Sequence, residues 1–390
     1  MTKLIAILGT FVIVGITYLF SNEKQKIPWK SVAIAFLGQF VLAFLLIKTP
    51  LWVGVECVSN GVTWILNQSK TGIDFVFGGI APDGVVFFIN SLLPIVFISA
   101  LMGLLFHFNI LQKFISFVGK WVARLLKVDT LVATNGIANI FLGQSESLFV
   151  TKSYLSAAND SVIFATLVSG MASISASVIG LYVSYGASME WIIISLPLTV
   201  LSTFVLIQIF MPTEYNESVA IKVENDKGIN AIETMMNYAM SGFKSVIGIT
   251  VALLVFLSMV GMINNLIGIF FPAVSLENIL GIFFIPFAFL MGVPANEVAV
   301  VSQILATKLV TNEAVAFALP QFTTLSENVK AMVTVALCGF AGIGSIGILV
   351  GGYSAIAPSK VQIVAKLGAK ALLIATMVNI MTAGVVGLFL

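Results

Sequence analysis

Charged residues are scarce in this sequence. Only 9% of its 390 residues are Asp, Glu, Lys or Arg, against 59% hydrophobic, and mean hydropathy is +1.09. Soluble domains carry about 25% charged residues, so the polar coat of a water-facing surface is missing. That excludes a conventional soluble enzyme, a nucleic-acid binder and a disordered chain. A net charge of +2 also offers no basic field for nucleic acid. Histidine occurs once, at His107, and the two cysteines, Cys57 and Cys338, lie far apart without a CxxC or CxxH context. A disulfide framework or a Cys/His metal site therefore has no support. Absent too are a Walker A loop, a GxGxxG after a strand, HExxH and GxSxG. With no ATP site and no nucleophile–base pair visible, the chain is not read as an enzyme and no organic cofactor is expected. If the function is transport, it has to run on an ion gradient.

What the sequence has instead is long apolar runs. A helix needs about 20 apolar residues to cross a bilayer. Such runs occupy Leu4–Phe20, Ser31–Ile47, Val85–Phe106, Val162–Tyr185, Trp191–Met211, Val246–Phe271, Val333–Gly351 and Leu372–Leu390. The expected fold is an all-α polytopic membrane protein with about eight transmembrane helices. No small-residue cleavage signature follows the first run, so it is read as a retained span and not as a signal peptide. Ile110–Val128 sets Lys113, Lys120, Arg124 and Lys127 among Phe, Trp and Leu, the pattern of a helix lying on the membrane surface. Leu131–Ala158 and Ile282–Val310 are apolar runs interrupted by polar clusters, Gly143-Gln144-Ser145-Glu146-Ser147 and Gly292-Val293-Pro294-Ala295-Asn296-Glu297. Each half is too short to cross alone, so both are expected to be re-entrant helical hairpins whose polar tips meet inside the protein.

Basic residues set the orientation. Lys24, Lys26 and Lys30, then Arg124, then Lys360, Lys366 and Lys370 all read as cytoplasmic, which puts both termini outside. The segment Gly170-Met-Ala-Ser-Ile-Ser175 matches Gly339-Phe-Ala-Gly-Ile-Gly344. Upstream, Leu142-Gly143 and Val150-Thr-Lys152 are echoed by Met291-Gly292 and Ala306-Thr-Lys308. Broken apolar segments at corresponding places in two halves are the pattern of secondary transporters built from inverted repeats. The chain divides accordingly into N-terminal spans and loop (1–84), a first repeat with surface helix and hairpin (85–211), a linker (212–245) and a second repeat (246–390).

Ionisable groups within apolar segments are costly and usually functional. Glu146, Glu297, Glu313 and Asp160 qualify. Glu146 sits at the first hairpin tip and Glu313 follows the second. Each can accept hydrogen bonds from a polar substrate or take up a coupling proton; the alternative is that Lys152 or Lys308 pairs with one to tie a hairpin down. Glu297 is placed where it can face water, and Asp160 reads as the cap of the next span. Gln144, Ser145 and Asn139 add neutral donors and acceptors beside Glu146. A site for an uncharged polyhydroxyl solute needs such groups, because each unpaired buried polar atom costs binding. Ser173, Ser175 and Ser177 alternate along what reads as one helix, too widely spread to share a face. Asn139 and Ser173, with carbonyls freed where helices break, are compatible with a small hard cation such as sodium.

Three ordered motifs then become specific: Gly143-Gln144-Ser145-Glu146; Asn312-Glu313-Ala314-Val315-Ala316-Phe317; and Ala336-Leu337-Cys338-Gly339-Phe340-Ala341 through Ser345-Ile346-Gly347 to Ala357-Pro358-Ser359. Together they resemble the concentrative nucleoside transporter family, whose usual forms are G-Q-[ST]-E, N-E-F-V-A-Y and A-L-C-G-F-A-N-x-S-S-I. The resemblance covers roughly residues 85–390. It implies a homotrimer in a bacterial plasma (inner) membrane, with nucleosides as substrate and a scaffold past which a transport domain moves elevator-fashion. It further implies that Gln144, Ser145 and Glu146 contact the base, that Glu313 and Ser345 contact the ribose, and that Val178 and Phe340 line the base pocket. The family's sodium site maps to the side chains of Asn139 and Ser173 with the carbonyls of Leu142 and Ile174. Some bacterial members with G-Q-S-E are thought to use protons, so the coupling ion stays open between sodium and proton. Two departures stand out: the family Asn after G-F-A is Gly342 here, and N-E-F-V-A-Y has become N-E-A-V-A-F.

Overall fold

The computed structural model describes residues 2–79, 86–215, 228–272 and 274–390, and no strand occurs among the described residues. Three helices come first: α1 (Thr2–Leu19), α2 (Trp29–Lys48) and α3 (Leu51–Phe77). A series then runs through α4 (Pro94–His107), α5 (Ile110–Leu126), α6 (Thr130–Phe141), α7 (Glu146–Val150), α8 (Lys152–Leu155), α9 (Asp160–Ala172), α10 (Ile179–Ser184) and α11 (Met189–Phe210). The same order returns in α12 (Ala231–Phe270), α13 (Leu276–Leu290), α14 (Ala295–Val310), α15 (Glu313–Ala318), α16 (Pro320–Thr323), α17 (Glu327–Leu337), α18 (Ile343–Ile356) and α19 (Val361–Phe389). Each series has a leading helix, a helix before the hairpin, a hairpin with one long arm and two short helices, an interrupted helix and a closing span.

The two series interlock. α9 and α17 both pack on α19, α11 packs on α2 and α19, and α4 pairs with α12. Side-chain caps fix where the critical helices begin. Asp129 accepts from the Leu131 amide at 2.7 Å to start α6, Asn159 from Val162 at 2.9 Å to start α9, and Asn312 from Val315 at 2.9 Å to start α15. The cap of α9 is thus Asn159; Asp160, expected in that role, is the first helical residue. In α5, Leu111, Ile115, Val122 and Leu126 are buried while Phe114, Phe117, Trp121 and the basic residues Lys113, Lys120 and Arg124 are exposed. That division gives α5 the amphipathic character expected of it.

Among the described residues seven helical segments are long and apolar enough to cross a membrane. The run expected as a further span, Val333–Gly351, is two helices, because the chain unwinds between Leu337 and Ile343. The run Val162–Tyr185 is likewise interrupted after Ala172, with Ser173 and Ser175 in extended backbone. The alternating serines sit in and just after this break, so they have no single helix face to share. The segment 212–245 is only partly a linker, since α12 already begins at Ala231; residues 216–227 and Val85 lie outside the described residues. α3 was not foreseen, its apolar residues being interspersed with Glu56, Asn60, Asn67, Gln68 and Lys70.

The second hairpin differs most from expectation. Residues 282–310 do form two antiparallel-packed helices, α13 and α14, with Gly292 in the turn at φ +88°. That turn is held under α1, where a Cβ on Gly292 would lie 2.8 Å from the Thr2 carbonyl oxygen and 2.9 Å from Ala6. The break that returns to the protein interior is Thr311–Asn312, between α14 and α15. The short echoes of Leu142-Gly143 and Val150–Lys152 in Met291-Gly292 and Ala306–Lys308 are therefore coincidental, while the pairing of Gly170–Ser175 with Gly339–Gly344 falls on the two interrupted helices.

A buried polar chain joins three of the packed spans. Ser202 of α11 donates to Gln39 Oε1 of α2 at 2.7 Å and Thr382 of α19 lies 2.9 Å from the same serine oxygen. Interhelical hydrogen bonds in membranes are worth about 0.6 kcal/mol on average. Ser202→Ala is expected to lower the melting temperature in detergent by about 1–3 °C and leave uptake unchanged. A loss of more than about 10 °C on a thermal melt would show that this chain carries far more than an average membrane hydrogen bond.

Candidate binding site between two hairpin tips and two helix breaks

Four interruptions of helix meet in the middle of the protein. Two are hairpin tips: 142–145, ahead of Glu146 at the start of α7, and 311–312, ahead of Glu313 at the start of α15. The other two are the breaks 173–175 and 338–342. The breaks touch through backbone, Phe340 donating its amide to the Ser173 carbonyl at 3.2 Å. Gly339 allows that crossing, because a Cβ there would collide with the Ala172 carbonyl and the Asn379 amide group.

Interrupting helices in this way exposes their ends. α7, α15 and α18 direct their N-termini at the central space, where unpaired N–H groups and the helix dipole favour electron-rich atoms. α6, α9, α14 and α17 leave carbonyls at their C-termini, which favour cations. Donors and acceptors for a polar, uncharged solute are thus supplied by backbone before any side chain is counted.

The central cavity has a volume of about 310 Å³. Gln144, Ser145, Glu146, Val178, Glu313, Phe340 and Ser345 all line it. Gln144 Nε2 donates to Ser345 Oγ at 3.3 Å, and Ser345 Oγ donates to the Phe340 carbonyl. The other side of the Gln144 amide, Oε1, is buried without a hydrogen-bond partner. Glu313 is buried, and its Oε1 accepts from Tyr182 OH at 3.0 Å. Tyr182 is itself fixed by stacking on Phe317, ring centroids 4.7 Å apart. Glu146 is half-buried and also borders a second cavity of about 390 Å³ that reaches Lys152, Glu233 and Asn237. A buried acceptor without a partner costs free energy unless a ligand supplies the donor.

The residues read as a cation site gather next door, where α6 ends against the break in α9. Asn139 is buried and its amide donates to Asn135 Oδ1 at 3.2 Å and Ser169 Oγ at 2.9 Å. Its Oδ1 has no hydrogen-bond partner. Ser173 Oγ donates to the Ser169 carbonyl at 2.5 Å, and Leu142 and Ile174 are buried beside it. A buried oxygen left over where one helix ends against the break in another fits a small hard cation. Gly342, where the family carries Asn, lies against the second hairpin, its Cβ position 3.1 Å from the Lys308 carbonyl oxygen.

Other sequence candidates fall outside. Glu297 accepts from the Ser326 amide and hydroxyl, both at 2.8 Å, away from the cavity. Lys308 makes its hydrogen bonds elsewhere than to a glutamate, donating to the Ala336 carbonyl at 2.7 Å and to Asn379 Oδ1 at 2.8 Å, while its charge still acts on Glu313. Sequence reasoning missed Tyr182, which holds Glu313, although a tyrosine hydroxyl within an apolar run was a usable signal. It also missed the far wall, formed by Ser245, Gly248 and Ile249 of α12, which carry nothing distinctive in sequence.

Residues 8–80 match the family described as Na+ dependent nucleoside transporter N-terminus, and residues 191–387 its C-terminus. The nucleoside permease NupC of Helicobacter pylori is 31% identical, over 100% of this chain and 98% of that protein. Solute carrier family 28 member 3 of Mus musculus is 29% identical over 99% of this chain and 59% of its own length. Among solved structures, CNTnw in an inward-facing substrate-bound state superposes with a TM-score of 0.94 at 31% identity, covering 100% of this chain and 98% of that one. An outward-facing variant of CNTnw gives 0.93 at 30% identity, covering 100% and 99%. With both family segments matched and the fold shared from end to end, the chain belongs to the concentrative nucleoside transporter family.

Proposed function

We propose that this protein imports nucleosides by cation-coupled symport, with alternating access achieved by an elevator movement. The observation that carries the reading is the convergence of both hairpin tips on one cavity beside an unpartnered Asn139 oxygen. In this reading Gln144, Ser145 and Glu146 take the base, Glu313 and Ser345 take the ribose hydroxyls, and Val178 and Phe340 pack on the base faces. The unpartnered Gln144 Oε1 is an acceptor for a base N–H. Gly342 brings no side chain to the ribose, so its hydroxyls bind chiefly to Glu313 and Ser345. The protein works as a homotrimer in a bacterial inner membrane, with both termini outside.

Coupling follows from adjacency. Leu142 and Ser173–Ile174 belong to the tip and the break that position Gln144–Glu146, so a cation held by Asn139, Ser173 and those carbonyls orders the same backbone that binds substrate. Such linkage is reciprocal and typically worth about 1–3 kcal/mol, or about 5–150-fold in affinity. Sodium is the ion this oxygen set suits; a proton on Glu146 or Glu313 is the alternative. Uptake of labelled adenosine and uridine into proteoliposomes under imposed sodium or proton gradients decides between them. Asn139→Leu is expected to make nucleoside affinity the same in sodium as in choline. Retention of the full sodium effect in that variant would remove Asn139 from the cation site, and uptake indifferent to both gradients would overturn symport.

A further inference from the structure

Lys308 is buried, lines none of the central cavity, and is not used by the transport mechanism above. Its position is not arbitrary. It stands two residues before the end of α14, as Asn139 stands two residues before the end of α6. The offset that relates Gly170 to Gly339 also relates Asn139 to Lys308. Their partners lie on corresponding helices. Asn139 reaches Ser169 of α9, and Lys308 reaches Ala336 of α17. Under the same offset Ser169 answers to Cys338, two residues beyond Ala336, so the match is of helix with helix.

The two positions differ in what they leave over. At Asn139 a buried oxygen has no partner. At Lys308 the ammonium donates to two oxygens, the Ala336 carbonyl at 2.7 Å and Asn379 Oδ1 at 2.8 Å, while Asn379 Nδ2 in turn donates to the Ala172 carbonyl at 2.7 Å. Ala172 ends α9, and Ala336 is one residue from the end of α17. Two helix C-termini, each the negative end of a dipole, are therefore brought together at the crossing of the breaks, an arrangement that favours a cation between them.

We infer that the Lys308 ammonium is a tethered cation, performing permanently in the second repeat what a mobile cation performs at the equivalent place in the first. It is a positioning residue: it holds α14, and so the Thr311–Glu313 tip, to the crossing of α9 and α17 through Ala336 and Asn379. The comparison with a mobile ion rests on the cation site proposed above, whereas the role of Lys308 at the crossing does not. One consequence is that only the first repeat consumes an ion from the gradient. Another is that removing the ammonium leaves a set of oxygens that a free cation can enter.

The test is Lys308→Asn, which restores the residue type of the first repeat. Melting temperature in detergent is measured in sodium, lithium and choline chloride at equal ionic strength, for the wild type, K308N, N139L and the N139L/K308N pair. The expected result is a drop of about 5 °C or more in choline for K308N that is at least half recovered in sodium or lithium. That recovery should persist in the N139L background. No drop in choline, or a drop that no small cation relieves, overturns the inference. Should K308N not be recovered folded in any salt, K308N/N379K returns an ammonium to the same pocket from α19. Its recovery supports the tethered cation and its failure overturns it. Loss of sodium dependence in wild type and N139L alike would count against the proposed coupling site only, because the K308N increment is read separately.

Discussion

Glu313→Gln is expected to weaken nucleoside binding by about 10–100-fold and to abolish gradient-driven uptake. The change conserves volume, so the loss reports chemistry and not packing. The carboxylate presents two acceptor oxygens; Tyr182 donates to one at 3.0 Å, and the residue lines the cavity. An amide replaces one acceptor by a donor and removes the charge. Hydrogen bonds to charged groups contribute about 1.5–3 kcal/mol each, which corresponds to that loss in affinity. Tyr182→Phe removes only a supporting bond that does not itself touch the nucleoside, and should cost about fivefold in affinity, less than the loss of the carboxylate. Calorimetric titration of adenosine or uridine measures both. Unchanged affinity in the glutamine variant would remove Glu313 from the binding site.

The other large effect belongs to Gly339. A methyl group there has nowhere to go, since the Ala172 carbonyl and the Asn379 side chain occupy the space. Neither is free to retreat: Asn379 donates to that same carbonyl and receives Lys308. Overpacking of this kind costs about 1–3 kcal/mol. Here it also pries apart the bond from Phe340 to Ser173, and with it the cavity floor. Gly339→Ala is expected to lower the melting temperature by about 5 °C and nucleoside affinity by at least about tenfold. Gly347→Ala, where a Cβ meets nothing within 4 Å, serves as the control and should change neither. Near-normal binding by Gly339→Ala would mean that the crossing of the two breaks does not shape the site.

Much of this was legible in the sequence because the relevant signals are local. The scarcity of charge gave the class, and Gly143–Glu146 marked a tip because four polar or flexible residues in an apolar run have no other role. The break at 338–342 was not legible as a break. Val333–Gly351 reads as one span because its glycines and alanines are as apolar as a membrane helix requires. What unwinds it is the close approach of another broken helix, a contact between residues far apart in the chain. The second tip was misplaced for a related reason. Gly292-Val293-Pro294 is the stronger turn signal, and a turn does form there, but burial against α1 decides where it lies. The tip that matters has only Thr311 and Asn312 to announce it. Tyr182 and the α12 wall were missed because their roles arise from what they face.

That wall has a consequence for movement. Ser245, Gly248 and Ile249 close the cavity from α12, a helix of 40 residues, about 60 Å long at about 1.5 Å per residue. They offer one hydroxyl, one hydrogen and one aliphatic chain, whereas the carboxylates, the glutamine amide and Phe340 belong to the opposite side. A cargo gripped on one side and merely brushed on the other experiences little friction along the indifferent surface. In the proposed elevator, α12 is a bearing: smooth at the level of the cargo and long enough to guide the whole stroke. A polar residue with strong directional preference at Gly248 would turn that bearing into a detent.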